Sequence, residues 1–165
     1  MNKKIMMVMT AILCLTLVFA MVGCNDLVTD TEKGPYSVVI KGTEVELGAK
    51  ADSVMSALGE PEISQNTGNC GGLGETTIYY YDGFSITVVD YEDGDALIDK
   101  INVIDDRVET SKGIYIGSDK SDVIEAYGDA TEENVGALIY RNSDKETTFG
   151  IKDGVVVSIS MKVVG

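Results

Sequence analysis

One stretch of this chain occurs twice, and that constrains the fold more than any other feature. Val45 to Glu60 lines up on Ile114 to Asp129 without a gap, at a constant offset of 69 residues. Gly48 and Gly117, Val54 and Val123, Ala57 and Ala126, and Gly59 and Gly128 are identical, and nearly every other apolar position stays apolar. Self-similarity of this kind points to duplicated structural units, because each copy has the same face to bury.

Each copy reads as a short strand, a turn and a short helix. Ala51, Val54, Met55 and Leu58 recur at helical spacing, as do Lys120, Val123, Ile124 and Tyr127, with the lysine snorkelling at the edge. Gly59 and Gly128 follow the last apolar position, where a C-cap is wanted, and Ser118 or Asp119 can N-cap the second helix. Helices this short need a sheet to pack on.

Strand signals follow each helix. Thr77–Tyr81 and Phe84–Val89 flank Asp82-Gly83, a two-residue hairpin turn, and Ala96–Ile104 gives a third strand. Ala137–Arg141, Thr147–Ile151 and Val155–Val163 repeat the series around Asp153-Gly154. In the last strand Val155, Val157, Ile159, Met161 and Val163 are expected on one face, with Ser158, Ser160 and Lys162 on the other. The expected fold is α+β: two tandem repeats, each a short helix packed on a three- to four-stranded antiparallel sheet, over 36–106 and 107–165.

The N-terminus carries an address. Lys3-Lys4 precede Ile5 to Val22, a run polar only at Thr10 and Thr16, and Met21-Val22-Gly23-Cys24 closes it. This looks like a bacterial lipoprotein signal peptide with its lipobox. The resemblance implies cleavage of residues 1–23, lipid on Cys24, and a cell-membrane location on the extracytoplasmic face. An uncleaved signal anchor is the alternative, with the same topology. Residues 24–35 are polar and read as a flexible tether, reaching roughly 35–40 Å when extended.

Charge narrows the partners. The formal net charge is −14, and −16 once Lys3 and Lys4 are removed with the signal. Such a surface repels phosphate backbones, so nucleic acid is not an expected partner. The chain has no histidine, which removes Ser-His-Asp and Cys-His catalysis and any imidazole metal site. No catalytic residue, metal site or cofactor is therefore expected. Cys14 leaves with the signal and Cys24 takes lipid, so Cys70 has no partner within the chain.

Two loops invite chemistry. The glycine-rich loop Gln65 to Gly74 lacks a Gly-Lys-Ser/Thr ending and enters a strand, so it is not a phosphate loop. Asp90-Tyr91-Glu92-Asp93-Gly94-Asp95 fails the calcium-loop register, with Val89, Tyr91 and Lys100 at ligand positions, and reads as a solvated strand connection, a weak calcium site of another kind being the alternative. Cys70 reads as a buried small hydrophobe or as one half of a disulfide to another chain. Tyr79-Tyr80-Tyr81 must place tyrosines on both faces of one strand. They serve either as an interaction surface with the Cys70 loop or as cross-strand stiffening.

The repeated pattern of Leu/Ile-Gly, a polar turn, a central Val, then Gly with Glu/Asp resembles tandem beta-lactamase-inhibitor-protein-like folds. It is also similar to the unit of BamE-type (SmpA/OmlA) outer-membrane lipoproteins. With Cys70 and Tyr79 to Phe84 included, the chain looks like uncharacterised small lipoproteins of anaerobic Gram-positive bacteria. The expected function is a membrane-anchored, non-enzymatic module that binds a protein partner. A structural subunit of an envelope assembly is the alternative, and an enzyme is third.

Overall fold

In the computed structural model, Lys33–Gly165 is one compact unit, and the structure describes residues 34–68, 74–92 and 94–164. The order is β1 (Ser37–Ile40), β2 (Thr43–Glu46), α1 (Ala51–Leu58), β3 (Ile63–Gly68), β4 (Glu75–Tyr81), β5 (Phe84–Asp90) and β6 (Ala96–Val103). Then come β7 (Glu109–Thr110), α2 (Lys120–Tyr127), β8 (Glu132–Asn134), β9 (Ala137–Arg141), β10 (Lys145–Lys152) and β11 (Val155–Val163). Residues 1–23, Cys24 and Cys70 all lie outside the described residues.

The expected α+β pair of helix-on-sheet units does not form. The chain is mostly β, with one eight-stranded antiparallel sheet in the order β3-β4-β5-β6-β11-β10-β9-β8 and a separate sheet β2-β1-β7. The seam explains the correction. β6 and β11, each an open edge if the units stood apart, pair with each other from Lys100↔Lys162 to Val103↔Ile159. Backbone groups that two sheets would leave to water are satisfied within one.

Register lines the core up across this sheet. Tyr81, Phe84, Val103, Ile159, Phe149 and Leu138 stand side by side, and the next row is Tyr79, Ile86, Ile101, Met161, Thr147 and Tyr140. Apart from half-buried Tyr79, every one of these side chains is buried. Both helices and the small sheet cover this same face. Val54, Leu58 and Val123 join its core, with Val38, Ile40 and Val45 from the small sheet. The Thr147 hydroxyl donates to the Pro35 carbonyl at 2.9 Å, and Ser111 Oγ donates to the Gly34 carbonyl at 2.7 Å. Gly34 and Pro35 are thus fastened into the fold.

Each helix is pinned at its C-terminus by a tyrosine of the sheet. Tyr81 donates to the Gly59 carbonyl at 3.2 Å, and Tyr140 to the Gly128 carbonyl at 3.0 Å. These bonds occupy carbonyls that a helix end leaves open, each contributing about 1 kcal/mol. Asp119 and Asp122 form a capping box at the start of α2. Tyr127 behaves differently: its hydroxyl is buried and faces Thr110 without closing a hydrogen bond. Desolvation pushes its pKa up to about 12.

Two local features depart from the alternation. A register shift at Gly150/Ile151 places Val157 outside the ladder, so Val156 is buried and Val157 is 48% exposed. One inserted residue reverses the side-chain faces beyond it, which is why Val155 and Val157 do not share the face of Ile159. The β1–β2 hairpin turns on Lys41-Gly42, both with positive φ (50° and 81°). That geometry suits a two-residue hairpin, although lysine is not a residue that signals it.

Candidate interaction surface

Because both helices and the small sheet lie on one face, no described element covers the other. A row there runs Ile63, Tyr80, Ser85, Asn102, Ser160, Thr148, Ile139 and Glu132 across all eight strands. Asn102 ties its centre together, donating to Ser85 Oγ at 3.3 Å and accepting from Ser160 Oγ at 3.0 Å. Beside it runs Gln65, Ile78, Thr87, Lys100, Lys162, Glu146 and Arg141. These two rows carry Lys100, Lys162 and Arg141 against Glu132 and Glu146, and Asp99, the extra residue of a bulge in β6, stands beside Lys100, so cations and carboxylates balance there in a chain of net −14.

The three candidate tyrosines are divided by the strand. Tyr81 is buried and stacks on Phe84 with ring centroids 4.7 Å apart. Tyr79 is half-buried on the helix side, where it lines a cleft. Only Tyr80 stands on the open face, half-exposed beside Ser85. Tyr79 and Tyr81 are therefore core and cleft residues, and Tyr80 alone belongs to the candidate surface. Lys100, Arg141, Glu146 and Lys162 were not singled out by sequence reasoning; their positions opposite the apolar residues of β6, β9, β10 and β11 are the signal that identifies them.

Glu146 is buried among its neighbours, ion-paired to Arg141 and, at 3.2 Å, to Lys162. Burial raises its carboxyl pKa, but the hydrogen bonds from Arg141 and Lys162 outweigh that and hold it below the ordinary carboxylate range. A depressed folded-state pKa gives stability that is present above the unfolded pKa and lost as pH falls through the folded one. Glu146→Gln is therefore expected to flatten the fall in stability between about pH 5 and pH 3, read as urea midpoints at successive pH values.

Asp95, just before β6, pairs with Lys50 at 2.7 Å. Among the described residues no group of carboxylates and thiols is arranged to hold a metal ion.

Residues 33–128 match a family model described as a domain of unknown function, DUF7738. The chain belongs to this family. The DUF7738 match runs from the residue before Gly34 to the C-cap of α2, leaving β8 to β11 beyond it. No curated protein matches the chain. Among solved structures it is similar to the crystal structure of a DUF4309 family protein (YjgB) from Bacillus subtilis subsp. subtilis str. 168, at 18% identity and a TM-score of 0.40, over 70% of this chain and 79% of that one. A likeness that slight carries no argument about function.

Proposed function

We propose that this DUF7738 protein is a membrane-anchored, extracytoplasmic lipoprotein that acts as a non-enzymatic module binding another protein. The supporting observation is the one-sided sheet. All described covering elements lie on one face, and the opposite face offers Tyr80, aliphatic side chains, a Ser-Asn-Ser ladder and cations matched by carboxylates. Uncharged hydroxyl, amide and tyrosine groups make adaptable contacts at little entropic cost, which suits a docking surface. The tether supplies the other half of the reading. Lipid on Cys24 holds the module at the membrane, and the polar segment before Gly34 lets it reach away.

The anchor is tested by Cys24→Ser expressed in the native host, with lipid labelling and membrane fractionation. The expected result is a parent that carries the lipid label and begins at Cys24, and a variant without the label. A parent without the label that keeps residues 1–23 would instead mean an uncleaved N-terminal anchor.

A further inference from the structure

Charges on the open face balance in number but not in place. Lys100 and Lys162 stand directly opposite each other on β6 and β11, the two strands of the seam. Like charges so placed repel and cost stability. Lys162 is relieved by Glu146 at 3.2 Å, and the same carboxylate takes Arg141. Lys100 is left over, since among the described residues it forms no ion pair. Asp99, the extra residue of the β6 bulge, does not fill that role. Its carboxyl pKa is raised, because burial outweighs the pull of Lys100.

The rest of the seam is uncharged on this face. Asn102 and Ser160 come next to the lysines, joined by their hydrogen bond. Two residues beyond Asn102 lies Ile104, 59% exposed, with exposed Val157 on the facing strand. The strand rises about 13 Å from Lys100 to Ile104. One end of the seam thus offers aliphatic surface, the middle offers hydrogen-bonding groups, and the other end holds a cation without a counter-charge. In a chain of net −14 the overall field repels a carboxylate, whereas Lys100 and Lys162 together attract one. The same field disfavours a second copy of this chain, which brings a further −14.

Taking the open face as the docking surface proposed above, we infer that the protein partner lays an acidic segment along the β6–β11 seam. An aspartate, glutamate or terminal carboxylate of that segment rests on Lys100, and an aliphatic side chain rests on Ile104 and Val157. In an extended segment these two groups are about four residues apart. The carboxylate sits between Lys100 and Lys162 and removes the repulsion that the free protein carries. Lys100 is thereby the residue that selects for an acidic partner.

The test places a photo-crosslinking phenylalanine analogue at Tyr80, on the same face about 10 Å away, in the full-length protein in its own cells. Crosslink yield is read for each variant, and the attached segment is sequenced by mass spectrometry. Lys100→Glu is expected to lower the yield about tenfold or more, Lys100→Gln about threefold or more, and Lys100→Arg less than about twofold. Lys41→Glu makes the same charge change at the exposed β1–β2 turn of the other sheet, and is expected to leave the yield unchanged. Urea midpoints matching the parent show that the variants are folded; should Lys100→Glu fall short, Lys100→Gln decides. The attached segment is expected to hold a carboxylate within about five residues of the crosslinked one. No crosslink from position 80 in the parent overturns the open-face reading and this inference together. An unchanged yield in the folded Lys100 variants, an equal loss in Lys41→Glu, a lipid adduct, or a segment without a carboxylate overturns the inference alone.

Discussion

Phe149→Ala is expected to remove about 3–5 kcal/mol of folding stability, measured as the fall in urea unfolding free energy. Phe149 is fully buried in β10, and its ring meets Tyr127 at 5.0 Å and Tyr140 at 5.9 Å, both edge-on. Truncation removes the transfer free energy of a large side chain and leaves a cavity bounded by two stiff rings. It also loosens the contact between α2 and the sheet, since Tyr127 is the last residue of that helix. A loss below about 1 kcal/mol would mean that the cavity collapses and that this aromatic cluster is less tightly packed than the contacts imply.

Met161→Ala comes next in size, at about 2–5 kcal/mol, and its distribution is more informative than its magnitude. Met161 is fully buried on β11, with Ile101 of β6 as its partner across the seam and Thr147 of β10 on the other side. If the eight strands are one cooperative sheet, exchange protection falls together in β4–β5 and in β9–β10, in a single unfolding transition with unchanged denaturant slope. Two loosely joined units would behave otherwise. Protection would fall in β9–β11 while β4 and β5 stayed as in the parent.

Those two results bear on what could be read from the residues beforehand. Helical spacing at Ala51–Leu58 and Lys120–Tyr127 is enough to place both helices, and Asp82-Gly83 and Asp153-Gly154 are enough to place two hairpins. The joining of β6 to β11 was not legible. A repeat shows that two segments resemble each other, but backbone edges carry no residue code for whether they face water or one another. β3 was missed for a related reason. Ser64, Gln65, Asn66 and Thr67 show no apolar alternation, because an exposed edge buries neither face. The bulge at Gly150/Ile151 hid the exposure of Val157, since alternation counts residues and a bulge adds one.

The candidate surface was legible in part. Three consecutive tyrosines guarantee that one of them opposes the others, but the choice between Tyr80 and the pair Tyr79 and Tyr81 depends on which face the helices take. The anchoring of Tyr81 to Gly59 makes that choice. The cluster of Arg141, Glu146 and Lys162 could not be found by proximity in sequence, because it is assembled across three strands.

The central claim is that the open sheet face, and not the helix side, meets a partner at the membrane. Site-specific incorporation of a photo-crosslinking phenylalanine analogue at Tyr80, in the full-length protein in its own cells, tests it most directly. Tyr115, 44% exposed and away from that face, is the matched control position. The account predicts a discrete crosslinked protein species from position 80 that is absent from position 115. Crosslinking from 115 with none from 80 would contradict it.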